Sequence, residues 1–341
     1  MLVDKARGLA RSGLSRVPLR AWERVAPKDV LVVNYHVVAD APVAHVRHYR
    51  HKLSAEFEAD VQFIAERYGF IDPDELLHQR TSLRYGPRNN RALFTFDDGF
   101  SQCATDARPI LLRAQAPCVF FVVTELVDNR SVFHETATSL CVERLEALAA
   151  AESLAPLAEE LGAEAGSDPL EALCERALGL GFDDTEEIVS LCDRLGVDAP
   201  AYVKAHEPYL TTPQIQQLES DGLAVGAHGL RHRRLVGLSP RELEHQVVAA
   251  CEFVRDITSR SPVPFAFPWS GMHLDRSVLM DIRRRNPVVG LYFDTGGLQD
   301  DVPWVIHRIN GEGGAPVPEL LRIAWSTRSA WTRKRLPRES A

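Results

Sequence analysis

The chain has 341 residues, of which 25% are charged and 8% aromatic, as is typical of a soluble globular protein with an ample core. Its six cysteines include no C-x-x-C pair, which favours reduced, packed thiols over a disulfide framework or a zinc knuckle. The net charge of −8 combines basic ends with an acidic middle, because residues 135–200 hold sixteen acidic residues against three arginines. This distribution argues against a nucleic-acid groove across the body of the fold.

The two ends of the chain are basic. Residues 1–27 alternate basic with small apolar residues, which predicts a short amphipathic helix, and residues 326–341 form a basic tail. We see no signal peptide and no apolar run of the roughly 18 residues that span a membrane. We therefore expect a cytoplasmic protein, whose basic ends could contact an anionic membrane surface peripherally or simply be solvated.

Short apolar runs alternate with helical patterns along the region 28–325. This rhythm predicts an α/β fold with a parallel sheet or barrel. The strand candidates are 30–36, 70–71, 92–96, 117–123, 222–227, 264–269, 288–293 and 304–309.

The segment from about 134 to 205 interrupts this rhythm. It is rich in Ala, Leu and Glu, has helical periodicity and contains no strand candidate. We interpret it as an acidic helical insertion in a barrel loop, expected to lie over the barrel mouth. A lid, an interaction surface and a structural decoration all remain open as its role.

Two adjacent carboxylates, Asp97 and Asp98, follow the apolar run 92–96 and precede Gly99. Charged groups at the edge of a core cost free energy unless a cation or hydrogen bonds compensate them. Catalytic residues of parallel α/β proteins gather at such strand ends, but Asp is also a common helix cap there. Taken alone, the pair fits both interpretations.

His228 and His232 follow another strand candidate in an H-x-x-x-H spacing. Imidazoles four residues apart can face one ion if the segment forms a helical turn. With Asp98 or Asp97 from a different strand end, they would form a two-histidine, one-carboxylate set that leaves positions for water and substrate. This combination predicts a catalytic metal site.

The motifs Thr95-Phe96-Asp97-Asp98-Gly99 and His228-Gly229-Leu230-Arg231-His232 resemble motifs 1 and 2 of the polysaccharide deacetylases, the NodB-homology domain of carbohydrate esterase family 4. The resemblance covers about 30–130 and 208–310. It also includes runs similar to the family's Y-H, T-F-F-V and G-x-x-I-G-x-H strands, at 32–36, 118–122 and 222–228.

The resemblance implies a distorted (β/α)7-type, NodB-like barrel and an amide hydrolase. Asp97 would be the catalytic base. Asp98, His228 and His232 would hold one divalent metal ion, with zinc favoured and cobalt, nickel or manganese as alternatives. The oxyanion-binding N–H of the family follows the proline of motif 3, which here points to Trp269. Its indole could equally serve barrel packing.

The sequence departs from the family in three places. The arginine that usually holds the base in motif 3 has no match near Ala266. The motif 4 aspartate has only the candidates Asp275 and Asp294. His307 could be the motif 5 histidine that protonates the leaving amine, or part of an L-P-R-I element seen in related sequences.

The expected substrate is an N-acetylated carbohydrate, deacetylated at an amino sugar in a polysaccharide or glycan precursor. One alternative is deacetylation or deformylation of a lipid- or nucleotide-linked amino sugar. Another is a catalytically inactive, carbohydrate-binding NodB-like module. His36, at the end of the first strand, is assigned to the substrate-pocket wall or to the core, with a metal-ligand role as the competing interpretation.

Overall fold

A parallel sheet occupies the centre of the computed structural model, which describes residues 18–21, 30–81, 91–162, 168–299 and 301–327. All named strand pairs are parallel, and the strands lie in the order β8-β7-β6-β5-β4-β3-β1-β9, with β2 beside β3. The strands are β1 Leu31–Tyr35, β2 Gly69–Phe70, β3 Arg91–Phe96, β4 Cys118–Val122, β5 Ala224–Ala227, β6 Val263–Ala266, β7 Val289–Asp294, β8 Val305–His307 and β9 Ile309–Asn310.

The sheet is nearly closed into a barrel by its last two strands. β8 pairs with β7, and β9 pairs with β1 at the opposite edge of the sheet. Only Arg308 separates β8 from β9. We call residues 305–310 the seam segment, because it contacts both edges. The α/β barrel expected from the sequence is thus confirmed.

Helices surround this sheet, and their apolar stripes form one large core with it. In Pro240–Thr258, for example, Ser239 caps the N-terminus by accepting a hydrogen bond from the Glu242 N–H, and five residues spaced along one face are buried. The helices on the barrel are α1 Ser54–Arg67, α2 Pro73–Thr81, α3 Arg108–Ala114, α9 Thr212–Ser220, α10 Pro240–Thr258, α11 Arg276–Arg285 and α12 Val317–Thr327.

Between β4 and α9, the regular elements among the described residues are helices, and we call residues 134–206 the helical region. It has a separate apolar cluster that includes Leu145, Leu173 and Leu191. Its boundaries as an inserted unit stay a prediction. The helices are α4 His134–Ala149, α5 Ala155–Glu160, α6 Pro169–Gly179, α7 Thr185–Leu195 and α8 Ala199–His206.

The two chain ends carry predictions that fall largely beyond this description. Apart from residues 18–21, the basic N-terminal helix predicted for 1–27 lies outside the described residues, and so does the tail from 328 onward. Within the described ranges, no helix is both long and apolar enough to cross a membrane.

Candidate metal centre and active site

Three side chains converge at the carboxyl ends of β3 and β5. Asp98 Oδ1 lies 3.4 Å from His228 Nε2 and 3.3 Å from His232 Nε2. All three side chains are buried, and their potential ligand atoms lie within 4.8 Å of one another. The structure therefore brings together the three residues that the sequence predicts as metal ligands.

Left-handed backbone conformations, rather than an extended strand, aim Asp98 at this cluster. β3 ends at Phe96, and Asp98 and Gly99 have φ values of 69° and 75°. A Cβ at position 99 would lie 3.0 Å from Val122 Cγ1, so the position favours glycine for space as well as for backbone conformation. Adjacent residues of an extended strand face opposite sides, but Asp97 and Asp98 follow the strand at a bend, where this rule does not apply.

The two histidines are brought together by a loop and not by a helical turn. β5 ends at Ala227, and Gly229 and His232 adopt positive φ values of 75° and 56°. His228 Nδ1 lies 2.9 Å from the carbonyl oxygen of Ala266, which fixes the ring and leaves Nε2 facing the cluster.

The chemistry of the three groups fits a divalent cation. Tyr49 donates a hydrogen bond of 2.7 Å to Asp98 Oδ2, whereas the buried Oδ1 has no hydrogen-bond partner among the described residues. Burial would raise the pKa of Asp98, but His232, His228 and His36 outweigh it and lower that pKa. Burial lowers the pKa of His232 to about 3. A carboxylate with a free oxygen and a neutral imidazole are what a metal ion requires.

Asp97 lies beside the cluster, and its Oδ2 is 4.0 Å from His228 Nε2. Arg308 donates hydrogen bonds from Nη1 to Asp97 Oδ1 at 2.7 Å and from Nη2 to Oδ2 at 2.8 Å. Asn34 Nδ2 adds a third hydrogen bond of 3.1 Å to Oδ2. Burial alone would raise the pKa of Asp97, but the Arg308 guanidinium and nearby histidines lower it overall.

Arg308 occupies the gap between β8 and β9 and has no exposed surface. Its Nη1 also donates to Asn34 Oδ1 at 2.8 Å, and its guanidinium lies 5.4 Å from the Phe121 ring centroid. The arginine that holds Asp97 is therefore not in motif 3 near Ala266, at the end of β6. It comes from the seam segment, between β8 and β9.

Comparisons with known proteins agree with this architecture. The family model for polysaccharide deacetylases matches residues 172–284. A peptidoglycan deacetylase from Helicobacter pylori is 23% identical over 109 residues, which cover 32% of this chain and 37% of the relative. The aligned part thus spans little more than a third of that relative.

Solved structures show the same fold at low sequence identity. The Streptococcus pyogenes deacetylase PplD has a TM-score of 0.54 and 16% identity, covering 87% of this chain and 99% of that structure. IcaB from Ammonifex degensii has a TM-score of 0.53 and 16% identity, covering 88% and 97%. This confirms the resemblance to the polysaccharide deacetylases.

The family model and the Helicobacter pylori relative both show sequence similarity to polysaccharide deacetylases. The segment matched by the polysaccharide deacetylase model includes His228 and His232, whereas Asp97 and Asp98 precede it. The aspartates are placed by the structure, through the contacts described above.

His36 is held at the edge of this candidate site by Glu312. Its Nδ1 lies 2.7 Å from Glu312 Oε2, and its backbone N–H donates to Oε1 at 2.7 Å. Its ring centroid is 4.2 Å from that of Tyr49, the residue that bonds Asp98. Burial would lower the pKa of His36, but Glu312, Asp98 and Asp97 together raise it to about 10.

His307 has a different set of neighbours. Its Nε2 lies 2.8 Å from Asp301 Oδ2, and its Nδ1 lies 3.2 Å from Gln299 Nε2. Gln299 and Asp301 thus engage both ring nitrogens.

The two candidates for the motif 4 aspartate differ clearly. Asp294 is fully buried, and its Oδ1 accepts hydrogen bonds from the Gly271 N–H at 3.0 Å and from Ser270 Oγ at 3.1 Å. Asp275 instead caps α11 by accepting from the Ser277 N–H. Asp294 therefore supports the turn after Trp269, and Asp275 has a structural role at the surface.

Trp269 borders the metal cluster from the loop after β6. Its side chain is 40% exposed, and its ring centroid lies 5.8 Å from that of His232. The Arg234 guanidinium lies 4.0 Å from the same indole. An indole that is open to solvent beside the metal ligands is more consistent with a substrate-facing wall than with barrel packing.

The first turn of α4 also reaches the cluster. Glu135 Oε1 lies 3.6 Å from His232 Nδ1, a buried nitrogen without a hydrogen-bond partner among the described residues. Burial and the Asp98 carboxylate raise the pKa of Glu135 to about 8. A cation bound at the cluster would lower the pKa of Glu135 again, because it attracts the carboxylate. The ionised Glu135 could then accept a hydrogen bond from His232 Nδ1 and support its ring.

Sequence reasoning missed four of these residues: Tyr49, Glu135, Arg308 and Glu312. Tyr49 and Glu312 lie in loops, and their contacts join residues 49 and 276 positions apart. The sequence offers no periodic signal for such contacts. Glu135 had a weak signal, since it follows His134 at the start of a helix pattern.

Proposed function

We propose that this protein is a metal-dependent deacetylase that hydrolyses the N-acetyl amide of an amino sugar. One observation carries the proposal: Asp98, His228 and His232 form a buried ligand set directly beside Asp97, which Arg308 holds with two hydrogen bonds. The set has the two-histidine, one-carboxylate composition of catalytic sites that retain positions for water and substrate. Zinc is the favoured ion.

Asp98, His228 and His232 would hold the ion, which polarises the amide carbonyl and acidifies a water when it is bound. Asp97 is ionised, because Arg308 and its neighbours lower its pKa, and it would accept the proton of the attacking water. Arg308 and Asn34 fix the orientation of the carboxylate, so little rearrangement accompanies the transfer. The backbone N–H of Trp269 is our candidate donor to the oxyanion.

The leaving amine needs a proton, and two histidines could supply it. His307 was the sequence-based candidate, but Asp301 and Gln299 occupy its ring nitrogens. His36 is protonated at neutral pH, and the charges of Asp97 and Asp98 act on it. We therefore favour His36 as the proton donor or as a cationic group that stabilises the developing charge.

The alternative functions differ in what the site must contain. An inactive carbohydrate-binding module has no need for an aligned base, and here Asp97 keeps three directed hydrogen bonds. The metal cluster would act on the N-acetyl amide, which a polymer, a lipid-linked amino sugar and a nucleotide-linked amino sugar all carry. The proposed reaction is therefore the same for all three substrates.

Acetate release tests the proposal. Purified protein is stripped with a chelator, reloaded with Zn²⁺, Co²⁺, Ni²⁺ or Mn²⁺, and incubated with N-acetylated glycans and lipid-linked sugars. We expect acetate only from metal-loaded protein, at one metal ion per chain. Metal-independent release, or a loaded protein that releases acetate from no member of the panel, would contradict the proposal.

A further inference from the structure

A cavity of about 860 Å³ lies between the helical region and the barrel loops. One wall is formed by the start of α4 together with α7 and the start of α8. The facing wall comes from the loop after β4 and from Arg231, the residue before the metal ligand His232. Its volume is within the range of pockets that enclose a small organic ligand.

The lining of this cavity is predominantly apolar. Representative side chains are Phe133, Ala137, Phe182, Ile188, Val189 and Val197. Its charged groups are few, and one pair among them, Arg231 and Glu125, is already joined by a hydrogen bond. Val189 is apolar yet 55% exposed. Burial of apolar ligand surface against these side chains would favour binding, because it removes that surface from water.

The cavity is one residue layer away from the metal cluster. The Phe133 ring, which lines the cavity, packs edge-on against His232 with 5.0 Å between ring centroids. The His134 ring, also in the lining, lies 6.3 Å from the same imidazole. These two rings separate the cavity from His232, so a chain attached to a molecule at the cluster would pass around them to enter the cavity.

The position of the cavity indicates which part of a substrate it would take. Asp97, Asp98, His228 and His232 do not line it. A long N-acyl group begins at the reacting carbonyl and would need a space that opens among these residues. A chain attached elsewhere on the sugar has no such requirement.

We propose that this cavity binds the aliphatic aglycone of a lipid-linked amino sugar, whose N-acetyl group reaches the metal cluster. The proposal rests on the deacetylase function proposed above and names its substrate class. The barrel supplies the hydrolytic groups, and the helical region supplies the surface that selects for the lipid chain.

The test compares octyl and methyl glycosides of N-acetylglucosamine, with the octyl compound kept below its micelle concentration. Burial of apolar methylene groups predicts a kcat/KM at least about tenfold higher for the octyl glycoside. Val189→Asp places a carboxylate on the exposed rim of the cavity and should abolish this preference. Leu112→Asp, on the exposed face of α3 outside the cavity, is the matched control and should retain it.

Binding is measured separately by calorimetry on the Asp97→Asn variant, with and without Val189→Asp. Octyl glycoside binding that depends on Val189 supports the cavity even if no glycoside is hydrolysed, in which case the deacetylase proposal alone fails. Equal kcat/KM for both glycosides overturns the cavity proposal and leaves deacetylation intact. A preference that survives Val189→Asp, a preference for an N-octanoyl methyl glycoside, or the absence of octyl binding also overturns it.

Discussion

Arg308 and Asp97 are 211 residues apart in the sequence and share two hydrogen bonds of 2.7 and 2.8 Å. Both side chains are buried, so the pair is shielded from water and salt. The geometry is the two-pronged fit of a guanidinium to a carboxylate, which fixes orientation as well as charge. The pair explains how the candidate base is aligned without an arginine in motif 3.

Arg308→Met should therefore impair both catalysis and stability. Removing one partner of a buried ion pair costs about 3–5 kcal/mol of unfolding free energy. Misalignment of the base should lower kcat by about 100-fold or more. Arg308→Lys keeps the positive charge but loses the planar guanidinium that donates two parallel hydrogen bonds, so the kcat of this variant should also fall. Acetate release, denaturant unfolding and elemental analysis are the measurements, and bound metal should stay at the wild-type level.

Arg260 provides the matched control for this substitution. It is largely buried and donates two hydrogen bonds to Glu219, away from the metal cluster. Arg260→Met should lower stability and leave kcat nearly unchanged. A kcat for Arg308→Met close to that of Arg260→Met would show that Arg308 has only a structural role.

The adjacent aspartates should separate metal binding from hydrolysis. Asp98→Asn weakens a ligand, so we expect metal content to fall together with activity. Asp97→Asn keeps the ligand set and loses the base, so metal content should remain while hydrolysis drops by about 10²–10⁴-fold. Elemental analysis and acetate release on the same samples decide the assignment. Full activity in Asp97→Asn would exclude it as the base.

Glu135→Gln should weaken metal binding without changing the ligands. A carboxylate behind a metal-bound imidazole orients the ring and increases its basicity, and loss of such a group typically costs about 10–100-fold in metal affinity. Affinity is measured by competition with a chromophoric chelator. Glu143→Gln, on the same helix but half-exposed and paired with Arg47, is the control. Equal affinities in both variants would show that Glu135 does not act on His232.

The pH dependence of kcat/KM should reveal the proton donor. The pKa of His36 is raised to about 10, so a donor role persists through neutral pH and is lost as the pH rises through about 10. Glu312→Gln removes a cause of the raised pKa and should shift the basic limb to lower pH. An unchanged basic limb would argue against His36.

A pair of histidine substitutions separates the two candidates directly. If His36 donates the proton, His36→Gln should lower kcat strongly, whereas His307→Gln should have a small effect. The reverse pattern would restore the original assignment of His307. Metal content should be equal in both variants, since neither residue belongs to the ligand set described here.

Local sequence signals were sufficient for most strands of the sheet, but the single strand predicted at 304–309 is two short strands, β8 and β9, on either side of Arg308. Apolar runs at β1, β3, β4 and β7 are continuous because these parallel strands are buried on both faces, and such runs stand out in a sequence. The H-x-x-x-H spacing beside a strand also marked two ligand candidates. Neither inference required knowledge of distant contacts.

The supporting residues could not be found in this way. Whether Arg308 faces Asp97 depends on how the sheet closes, and Glu135 reaches His232 only because α4 begins beside the β5 loop. The bends at Asp98 and His232 depend on positive φ angles that sequence spacing does not reveal. These features are set by tertiary structure, on which propensity and periodicity carry no information.

The seam segment has a consequence for local unfolding. Residues 305–310 pair with both β7 and β1, and Arg308 contacts Asp97 from this docked segment. Local opening of the segment alone would leave the candidate metal ligands in place and remove the guanidinium from Asp97. Hydrolysis would then stop before the rest of the barrel unfolds.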